Sequence, residues 1–329
     1  MQNGRIIKID MKILIADTFP AGHSEKLTAD GHQITINPSL DGDTLVDAIA
    51  DNEVLIVRST KVNADTLEAG TELKLVVRAG AGTNTIDKSL AGEIGIRVCN
   101  VPGANAVAVA ELVMGLIIAI DRNIPANASD LKNNVWNKKK YSKAQGLYGQ
   151  KVGILGLGSI GFAVAERANA FGMPVYAVGK SGRSELAEKR ISDAGISQLG
   201  SLKELLKTCN IVSLHMPATD DTKFMVNASF LDNMKNGAVL INTSRGELID
   251  EAALIEAMDS KGIRVGLDVY NNEPGAGDNS FDSELASHPG VCGTHHIGAS
   301  TEQAQIAVAD GVLGVIQSYE DDELRNCVN

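Results

Sequence analysis

The segment from Lys151 to Lys180 constrains the fold of this chain more than any other stretch. An apolar run, Val152 to Leu155, leads into Gly-Leu-Gly-Ser-Ile-Gly at 156–161, then a stretch with helical periodicity and a second β-branched run, Val175 to Val178. A G-x-G-x-x-G alone is weak evidence, because a plain glycine turn has the same letters. The order strand, glycine turn, helix and strand is the context that a dinucleotide-binding turn requires.

Each position of the glycine turn has a separate physical task. Gly156 permits the tight turn, Gly158 lets a pyrophosphate approach the backbone, and Gly161 lets the helix pack against the strand. The helix would begin near Ser159 and Ile160, where backbone N–H groups without helical partners favour an anion. We therefore predict that these five residues bind a dinucleotide cofactor.

The length and the repeated strand–helix pattern predict two α/β domains. A single hydrophobic core stops growing near about 250–300 residues, and this chain has 329. Short β-branched runs alternate with helical segments, which indicates parallel sheets. We expect two Rossmann-like, doubly wound parallel-sheet domains with a cleft between them. Residues 1–102 and 300–329 would form a discontinuous substrate-binding domain, and residues 103–299 the dinucleotide-binding domain, joined through the apolar helix 104–122.

Charge and hydropathy exclude several classes of partner. The formal net charge of −11 argues against nucleic-acid binding and against an anionic membrane surface, which both favour a basic face. Residues 1–10 resemble a short extension without the apolar core of an export signal. The most apolar stretch, Val107 to Ile120, contains Glu111 and is shorter than the ~20 residues of a membrane span. The four cysteines lack metal-ligand spacing, so we expect reduced thiols, no metal site and a cytoplasmic protein.

Two arginines follow consecutive strands in the first half of the chain. Arg58 comes after the run at 54–57, and Arg78 comes after the run at 73–77 and precedes Gly80 in a stretch of small residues. Ligands of open parallel sheets gather outside the carboxyl ends of strands. A solvated arginine in a β–α turn is the alternative for either residue, but the pair favours an anion site.

The polar stretch from Asn123 to Gln150 contains three consecutive lysines at 138–140. We interpret it first as a solvated loop. The alternative is a cationic arm that reaches a phosphate group or a partner subunit.

Polar residues also follow the strands of the second half. Arg245, Glu273 and His296 each stand just beyond a predicted strand of the nucleotide domain. Hydride transfer to a carbonyl requires a cation that holds a carboxylate, for which arginine is suited. It also requires a proton donor near neutral pH, for which histidine is suited when a carboxylate orients it. His288 and His295 are rival candidates for the histidine.

The chain from about Lys12 to Asn329 resembles the D-isomer-specific 2-hydroxyacid dehydrogenase family. The segments that carry the resemblance are VGILGLGSIG (152–161), HMP (215–217), NTSRGELIDEAAL (242–254), GLDVYNNEP (266–274) and THHIGAST (294–301). It implies that Arg245, Glu273 and His296 form the catalytic set, which selects His296 over His295. It also implies that Asp268 holds the nicotinamide carboxamide.

Within this family, five further segments resemble the members that oxidise 3-phospho-D-glycerate to 3-phosphohydroxypyruvate. They are VRSTKVNAD (57–65), VRAGAGTNTID (77–87), NVPGANAVAVAE (100–111), WNKKKY (136–141) and NCVN (326–329). The resemblance implies a homodimer built on the nucleotide domains, and no regulation by serine through additional segments. The implied substrate-binding residues are Arg58, Arg78, Asn105 and Arg245, with one lysine of 138–140 at the phosphate. We take Lys139 as the candidate lysine, and Gly80, which follows Arg78 closely, as a further substrate-binding candidate. The implied cofactor-binding residues are Gly156, Gly158, Ser159, Ile160, Gly161, Lys180, His215, Pro217, Thr243 and Asp268.

One departure from the family pattern concerns the choice between NAD and NADP. Proteins that prefer NAD place an acidic residue about twenty positions after the glycines, where it binds the ribose hydroxyls. Here that position is Gly179, followed by Lys180 and Arg183, so we expect that NADP is tolerated. The alternatives for function are a glyoxylate or hydroxypyruvate reductase and, from another class, an NAD(H)-sensing binding protein or corepressor.

Overall fold

The computed structural model describes residues 10–274 and 280–329. The chain forms two compact units, Met1–Asn105 with Ser300–Asn329, and Ala106–Ala299. The first boundary lies three residues after the one predicted from the sequence. Most of the N-terminal extension, residues 1–9, lies outside the described residues.

The first unit contains a five-stranded parallel sheet in the order β2-β1-β3-β4-β5. Its strands are β1 (Lys12–Ile15), β2 (Gln33–Ile36), β3 (Val54–Val57), β4 (Leu75–Arg78) and β5 (Arg97–Asn100). Its first helices are α1 (Ala21–Ala29), α2 (Leu45–Ala48), α3 (Ala64–Ala69) and α4 (Lys88–Glu93).

The second unit contains a seven-stranded parallel sheet in the order β12-β11-β10-β9-β6-β7-β8. Its strands are β6 (Val152–Leu155), β7 (Val175–Val178), β8 (Ile196–Leu199), β9 (Ile211–Leu214), β10 (Val239–Asn242), β11 (Arg264–Leu267) and β12 (Val291–Gly293). Its helices are α5 (Ala106–Arg122), α6 (Ile124–Lys132), α7 (Ser159–Ala170), α8 (Glu185–Asp193), α9 (Leu202–Thr208), α10 (Ala228–Asn233), α11 (Glu251–Lys261) and α12 (Glu284–Ser287). Helix α13 (Glu302–Glu320) returns to the first unit. The prediction of two parallel-sheet α/β domains is confirmed.

The central strands are buried on both faces, which explains their unbroken apolar sequences. Every residue of β3, β6, β9 and β10 is buried, as expected of parallel sheets covered by helices on both sides. Several helices begin at a side-chain cap, such as Asp250, whose carboxylate accepts the Ala253 N–H before α11. No helix within 10–274 or 280–329 is both long and apolar enough to cross a bilayer.

The interpretation of Asn123 to Gln150 as a loop is wrong over its first third. Residues 124–132 form α6, which has Pro125 in its first turn; proline is favoured there because its missing N–H has no helical partner anyway. No residue of α6 is buried, so no apolar periodicity marked it in the sequence. The rest of the stretch, 133–150, consists of turns and irregular structure.

Candidate active site

His296 and Glu273 form a hydrogen-bonded pair beyond the carboxyl ends of the strands of the second unit. His296 Nδ1 lies 2.6 Å from Glu273 Oε2, and Glu273 Oε1 accepts the Tyr270 N–H at 3.0 Å. Because a carboxylate only accepts hydrogen bonds, Nδ1 carries the proton and Nε2 is the ring nitrogen left for chemistry. The His296 side chain is 53% exposed, so a small molecule can reach it.

The two partners shift each other's pKa in the directions that an ion pair requires. The hydrogen bond to Glu273 raises the pKa of His296, against the opposing effect of burial. Partial burial acts to raise the pKa of Glu273, but the bonds from His296 and from the Tyr270 N–H outweigh it and leave that pKa lowered. Imidazolium beside carboxylate is therefore favoured near neutral pH.

Arg245 lies close to this pair, on a turn that its neighbours hold. Its positive charge helps to lower the pKa of Glu273. The same charge partly opposes the rise in the pKa of His296. The fully buried Asn242 accepts the Ser244 N–H at 3.0 Å and donates to the Arg245 carbonyl at 2.8 Å. Arg245 therefore lies near enough to the pair to act on it electrostatically, and the catalytic roles of the three side chains stay predictions.

A glycine brings the arginine turn against the loop that carries Glu273. A Cβ atom on Gly246 would overlap the backbone of Tyr270 and Asn271. No residue with a side chain fits there without moving one of the two segments.

The Asp268 carboxylate is engaged by the loop that carries His296. It is 1% exposed and accepts the Ile297 and Gly298 N–H groups, each at 2.8 Å, and the Thr294 hydroxyl at 2.6 Å. These bonds flank His296, whose backbone is left-handed with a φ of 52°. Asp268 therefore fixes the loop that presents the histidine, and a carboxamide contact stays a prediction.

The glycine turn has the stereochemistry that its sequence predicts. Gly156 has a φ of 103°, and a Cβ there would overlap the His215 carbonyl, while a Cβ on Gly161 would overlap the Gly156 carbonyl. Gly158 has no atom within 4 Å of an added Cβ. The first and third glycines are thus required by packing, and the second faces open space at the start of α7, where Ser159 is exposed.

Two buried polar atoms near this turn have no hydrogen-bond partner among the described residues. They are Nδ1 of His215 and Oγ1 of Thr243. Burial lowers the pKa of His215 to about 4, so the ring is neutral, and its Nε2 lies 2.8 Å from the Ser213 hydroxyl. A buried atom without a partner is costly, and a dinucleotide can supply both partners. Pro217 lies nearby in sequence and accepts the Thr222 hydroxyl at its carbonyl.

The position after β7, Gly179, has room for a side chain. A Cβ on Gly179 would meet the Leu199 carbonyl at 3.4 Å and Gln198 at 3.6 Å, which is ordinary contact. Lys180 is exposed. Arg183 donates to Gln198 at 2.7 Å and to the Val178 carbonyl at 3.2 Å, so only Lys180 is an unengaged cation in this part of the described chain.

In the first unit, Arg58 stands on a turn that a single carboxylate holds. Asp17 accepts the backbone N–H groups of Arg58, Ser59 and Thr60 at 2.6, 3.1 and 3.2 Å. The Arg58 guanidinium lies 3.4 Å from the Ser300 hydroxyl. The Arg58 side chain therefore extends from the turn after β3 toward Ser300, and its contact with a substrate stays a prediction.

Arg78 is the last residue of β4, and its guanidinium lies against the turn that follows the strand. A Cβ on Gly80, whose φ is 141°, would overlap the Arg78 guanidinium. Asn105 lies in the turn before α5. Substrate contacts of these residues stay predictions.

The three consecutive lysines differ in their surroundings. Lys140 lies 2.9 Å from Asp130, which also accepts the Tyr141 hydroxyl at 2.6 Å. Lys138 and Lys139 are exposed. Lys139 is therefore more available to a ligand than Lys140.

The two rival histidines have different surroundings. His288 lies 3.2 Å from Asp259, which is itself 72% exposed, and His295 is exposed. The structure also assigns tasks to Asp17, Asn242, Gly246 and Thr294, which sequence reasoning missed. In the Asn-Thr-Ser-Arg-Gly segment, the sequence predicted functions for the threonine and the arginine, whereas the asparagine and the glycine hold that arginine in place.

Comparison with known proteins identifies the family of this chain. Residues 114–298 match the family described as D-isomer specific 2-hydroxyacid dehydrogenase, NAD binding domain. The chain is 38% identical over 324 residues to D-3-phosphoglycerate dehydrogenase of Methanocaldococcus jannaschii, covering 97% of this chain and 59% of that protein. It is 42% identical over 268 residues to hydroxypyruvate reductase of Thermotoga maritima, covering 81% of this chain and 84% of that protein.

A solved structure extends the similarity to the whole fold. The structure of cofactor (NAD+) bound 3-phosphoglycerate dehydrogenase in Entamoeba histolytica superposes with a TM-score of 0.78 at 27% identity, covering 98% of this chain and 99% of that one. This chain belongs to the D-isomer-specific 2-hydroxyacid dehydrogenase family, and it contains the family's NAD-binding domain. It spans less than two thirds of the length of the Methanocaldococcus relative.

Proposed function

We propose that the protein is an NAD(P)-dependent D-2-hydroxyacid dehydrogenase that oxidises 3-phospho-D-glycerate to 3-phosphohydroxypyruvate. The observation that carries the proposal is the 2.6 Å contact between His296 and Glu273 with Arg245 beside it. Reduction of a 2-oxo acid requires a proton donor, for which a histidine held by a carboxylate is suited. It also requires a cation that binds the substrate carboxylate, for which a guanidinium is suited.

In oxidation, Nε2 of His296 accepts the proton of the substrate hydroxyl. Glu273 holds the ring through Nδ1 and stabilises the imidazolium that forms. Arg245 binds the substrate carboxylate through its fixed fork of donors. In the reverse direction, the same Nε2 returns the proton to the carbonyl oxygen.

The dinucleotide fits the residues around the glycine turn. The open space at Gly158 and the first turn of α7 would receive the pyrophosphate, and His215 and Thr243 would provide polar atoms that lack partners among the described residues. The bound nicotinamide supplies the acceptor for the hydride. We propose that both NAD and NADP are used, because Gly179 presents no carboxylate against a 2′-phosphate and Lys180 is exposed beside it.

The substrate class rests on cations outside the acid–base pair. We propose that Arg58, Arg78 and Lys139 bind the carboxylate and phosphate groups of the substrate, together with Asn105. Reduction of hydroxypyruvate is the second candidate, because the Thermotoga hydroxypyruvate reductase matches over 84% of its own length. The relatives give no support to the alternative of an NAD(H)-sensing corepressor.

We further propose that the protein is a cytoplasmic homodimer that associates through the second unit. Large side chains lie exposed on α6 and the segment after it: Leu131 is 54% exposed, Trp136 82% and Tyr148 89%. Aromatic side chains are enriched at protein–protein interfaces, so these residues are the candidate contact surface of the dimer.

A substrate panel tests the proposal. The rates with 3-phosphohydroxypyruvate, hydroxypyruvate and glyoxylate are measured with NADH and with NADPH. We expect kcat/KM to be highest for the phosphorylated acid, and a hydroxypyruvate reductase would show no advantage for it. Absence of turnover with all three acids would contradict the dehydrogenase assignment.

A further inference from the structure

Two cysteines face each other across neighbouring strands of the first unit. Strand β5 contains Cys99, and β5 is the last strand in the order of its sheet. The segment 326–329 covers its outer edge, because the Asn100 N–H donates to the Asn326 carbonyl at 3.1 Å and the Val328 N–H to the Val98 carbonyl at 2.8 Å. Cys99 and Cys327 are antiparallel bridge partners between these two bonds.

This position in the ladder has the geometry that a disulfide needs. The flanking bonds identify the cysteines as a non-hydrogen-bonded pair, in which Cα atoms lie about 4.5 Å apart and side chains are closest. Disulfides span Cα separations of roughly 4.4–6.8 Å. The two thiols also interact, since Cys327 contributes to a raised pKa at Cys99. All four cysteines of the chain are free thiols in this structure.

We propose that Cys99 and Cys327 form a reversible cross-strand disulfide when the protein meets a small-molecule disulfide such as oxidised glutathione. The sulfur of Cys327 attacks one sulfur of the oxidant, which releases one reduced thiol and leaves a mixed disulfide. Cys99 then displaces the second thiol and closes the bridge. Two protein thiols are oxidised, one oxidant molecule is reduced to two thiols, and the protein protons go to those thiols.

The surroundings decide the order of these steps. Cys327 is exposed, whereas Cys99 is 0% exposed, so the oxidant reaches Cys327 first. Burial raises the pKa of Cys99 to about 12, and a thiol with so high a pKa is a slow attacker and a poor leaving group. The bridge should therefore close slowly, and a reductant should also open it slowly.

The bridge would fix the edge of the sheet next to the predicted substrate turn. The Asn100 side chain, one residue from Cys99, donates to the Ala81 carbonyl at 2.6 Å, and the Val101 N–H donates to the Gly80 carbonyl at 3.0 Å. In the reduced protein, segment 326–329 is held mainly by hydrogen bonds at its exposed edge, so local opening there is easy. Oxidation would remove that opening.

The test treats the full chain with oxidised glutathione, blocks remaining thiols and maps disulfide-linked peptides by mass spectrometry. We expect a peptide that joins Cys99 to Cys327, slower hydrogen exchange over residues 97–101, and a rise in Tm of about 5 °C. Cys292→Ala should behave as the wild type. Cys327→Ser, an exposed conservative change, should abolish the linked peptide and the rise in Tm.

A reductant should reverse all three effects in the wild type. The proposal is overturned if Cys327 carries only glutathione while Cys99 stays a free thiol, or if neither cysteine reacts. It is also overturned if Cys327→Ser shows the same rise in Tm. Cys99→Ala provides a second variant that should lose the linked peptide.

Discussion

The carboxyl edges of the two sheets carry different kinds of side chain. The edge of the seven-stranded sheet holds Glu273 and His296, which are hydrogen-bonded at 2.6 Å and change each other's pKa. The edge of the five-stranded sheet presents the guanidinium groups of Arg58 and Arg78, which are suited to binding anions.

This difference separates two tasks. A group that gains and loses a proton near neutral pH suits the chemical step, whereas a permanent cation suits the binding of an anion in every state of the reaction. Changes at His296 and Glu273 should therefore act mainly on kcat, and changes at Arg58 and Arg78 mainly on KM. The following experiments test that division.

His296→Asn should have the largest effect. Asparagine tolerates the left-handed backbone at this position but cannot transfer the proton, so kcat should fall by about 10²- to 10⁴-fold. The Kd of NADH, measured by fluorescence titration, should change less than about twofold, because the substitution leaves the glycine turn intact. His295→Asn is the matched control and should keep full turnover. A turnover of the His296 variant near that of the wild type would contradict the assignment.

Arg58→Ala should raise KM for the phosphorylated acid by roughly 10- to 100-fold, since it removes a charge-assisted bond worth roughly 1.5–3 kcal/mol. The effect on kcat should be much smaller. Arg97→Ala, an exposed arginine of β5, controls for loss of charge alone. A fall in kcat with unchanged KM would break the proposed division between the units.

Glu273→Gln should shift the pH dependence of kcat/KM more than it lowers the maximum value of kcat/KM. The carboxylate raises the pKa of His296, and reduction of the oxo acid needs His296 protonated. In the wild type, kcat/KM for reduction should persist at low pH and fall as pH rises through this raised pKa. The variant loses the carboxylate, so the fall should begin at lower pH. A profile that does not move would mean that another group supplies the proton.

Gly179→Asp should have a smaller effect, confined to one cofactor. The added side chain has room, and its charge would repel a 2′-phosphate. We expect kcat/KM with NADPH to fall about tenfold, which corresponds to about 1.4 kcal/mol, while kcat/KM with NADH is kept or raised. Lys180→Ala should weaken use of NADPH in the same direction. Equal loss with both cofactors would indicate a folding defect.

Much of the nucleotide unit was predictable from sequence because its signals are local. The runs at 211–214 and 239–242 match β9 and β10 residue for residue, since a strand buried on both faces is apolar throughout. The glycine turn was also predictable, because its three glycines and its flanking strands stand within thirty residues. Helix α6 was missed because an exposed helix of nine residues has no buried face, and so its sequence shows no helical periodicity of apolar residues.

Contacts between residues that are far apart in the sequence could not be predicted from the sequence alone. Nothing in the spacing of Glu273 and His296 says that their side chains meet, and only the family resemblance selected His296. The Asp268 carboxylate accepts three hydrogen bonds from residues 294–298. These bonds depend on how that loop folds back toward β11. The pairing of Cys99 with Cys327 depends on the return of the chain to the edge of β5.

A double-mutant cycle on the rate of a single turnover tests the acid–base pair most directly. The rate of NADH oxidation by 3-phosphohydroxypyruvate at saturating concentrations is measured for the wild type, His296→Asn, Glu273→Gln and the double variant. If Glu273 acts through His296, the double variant should be no slower than His296→Asn alone. If the two losses multiply, the residues act independently, and the pair is not the proton donor proposed here.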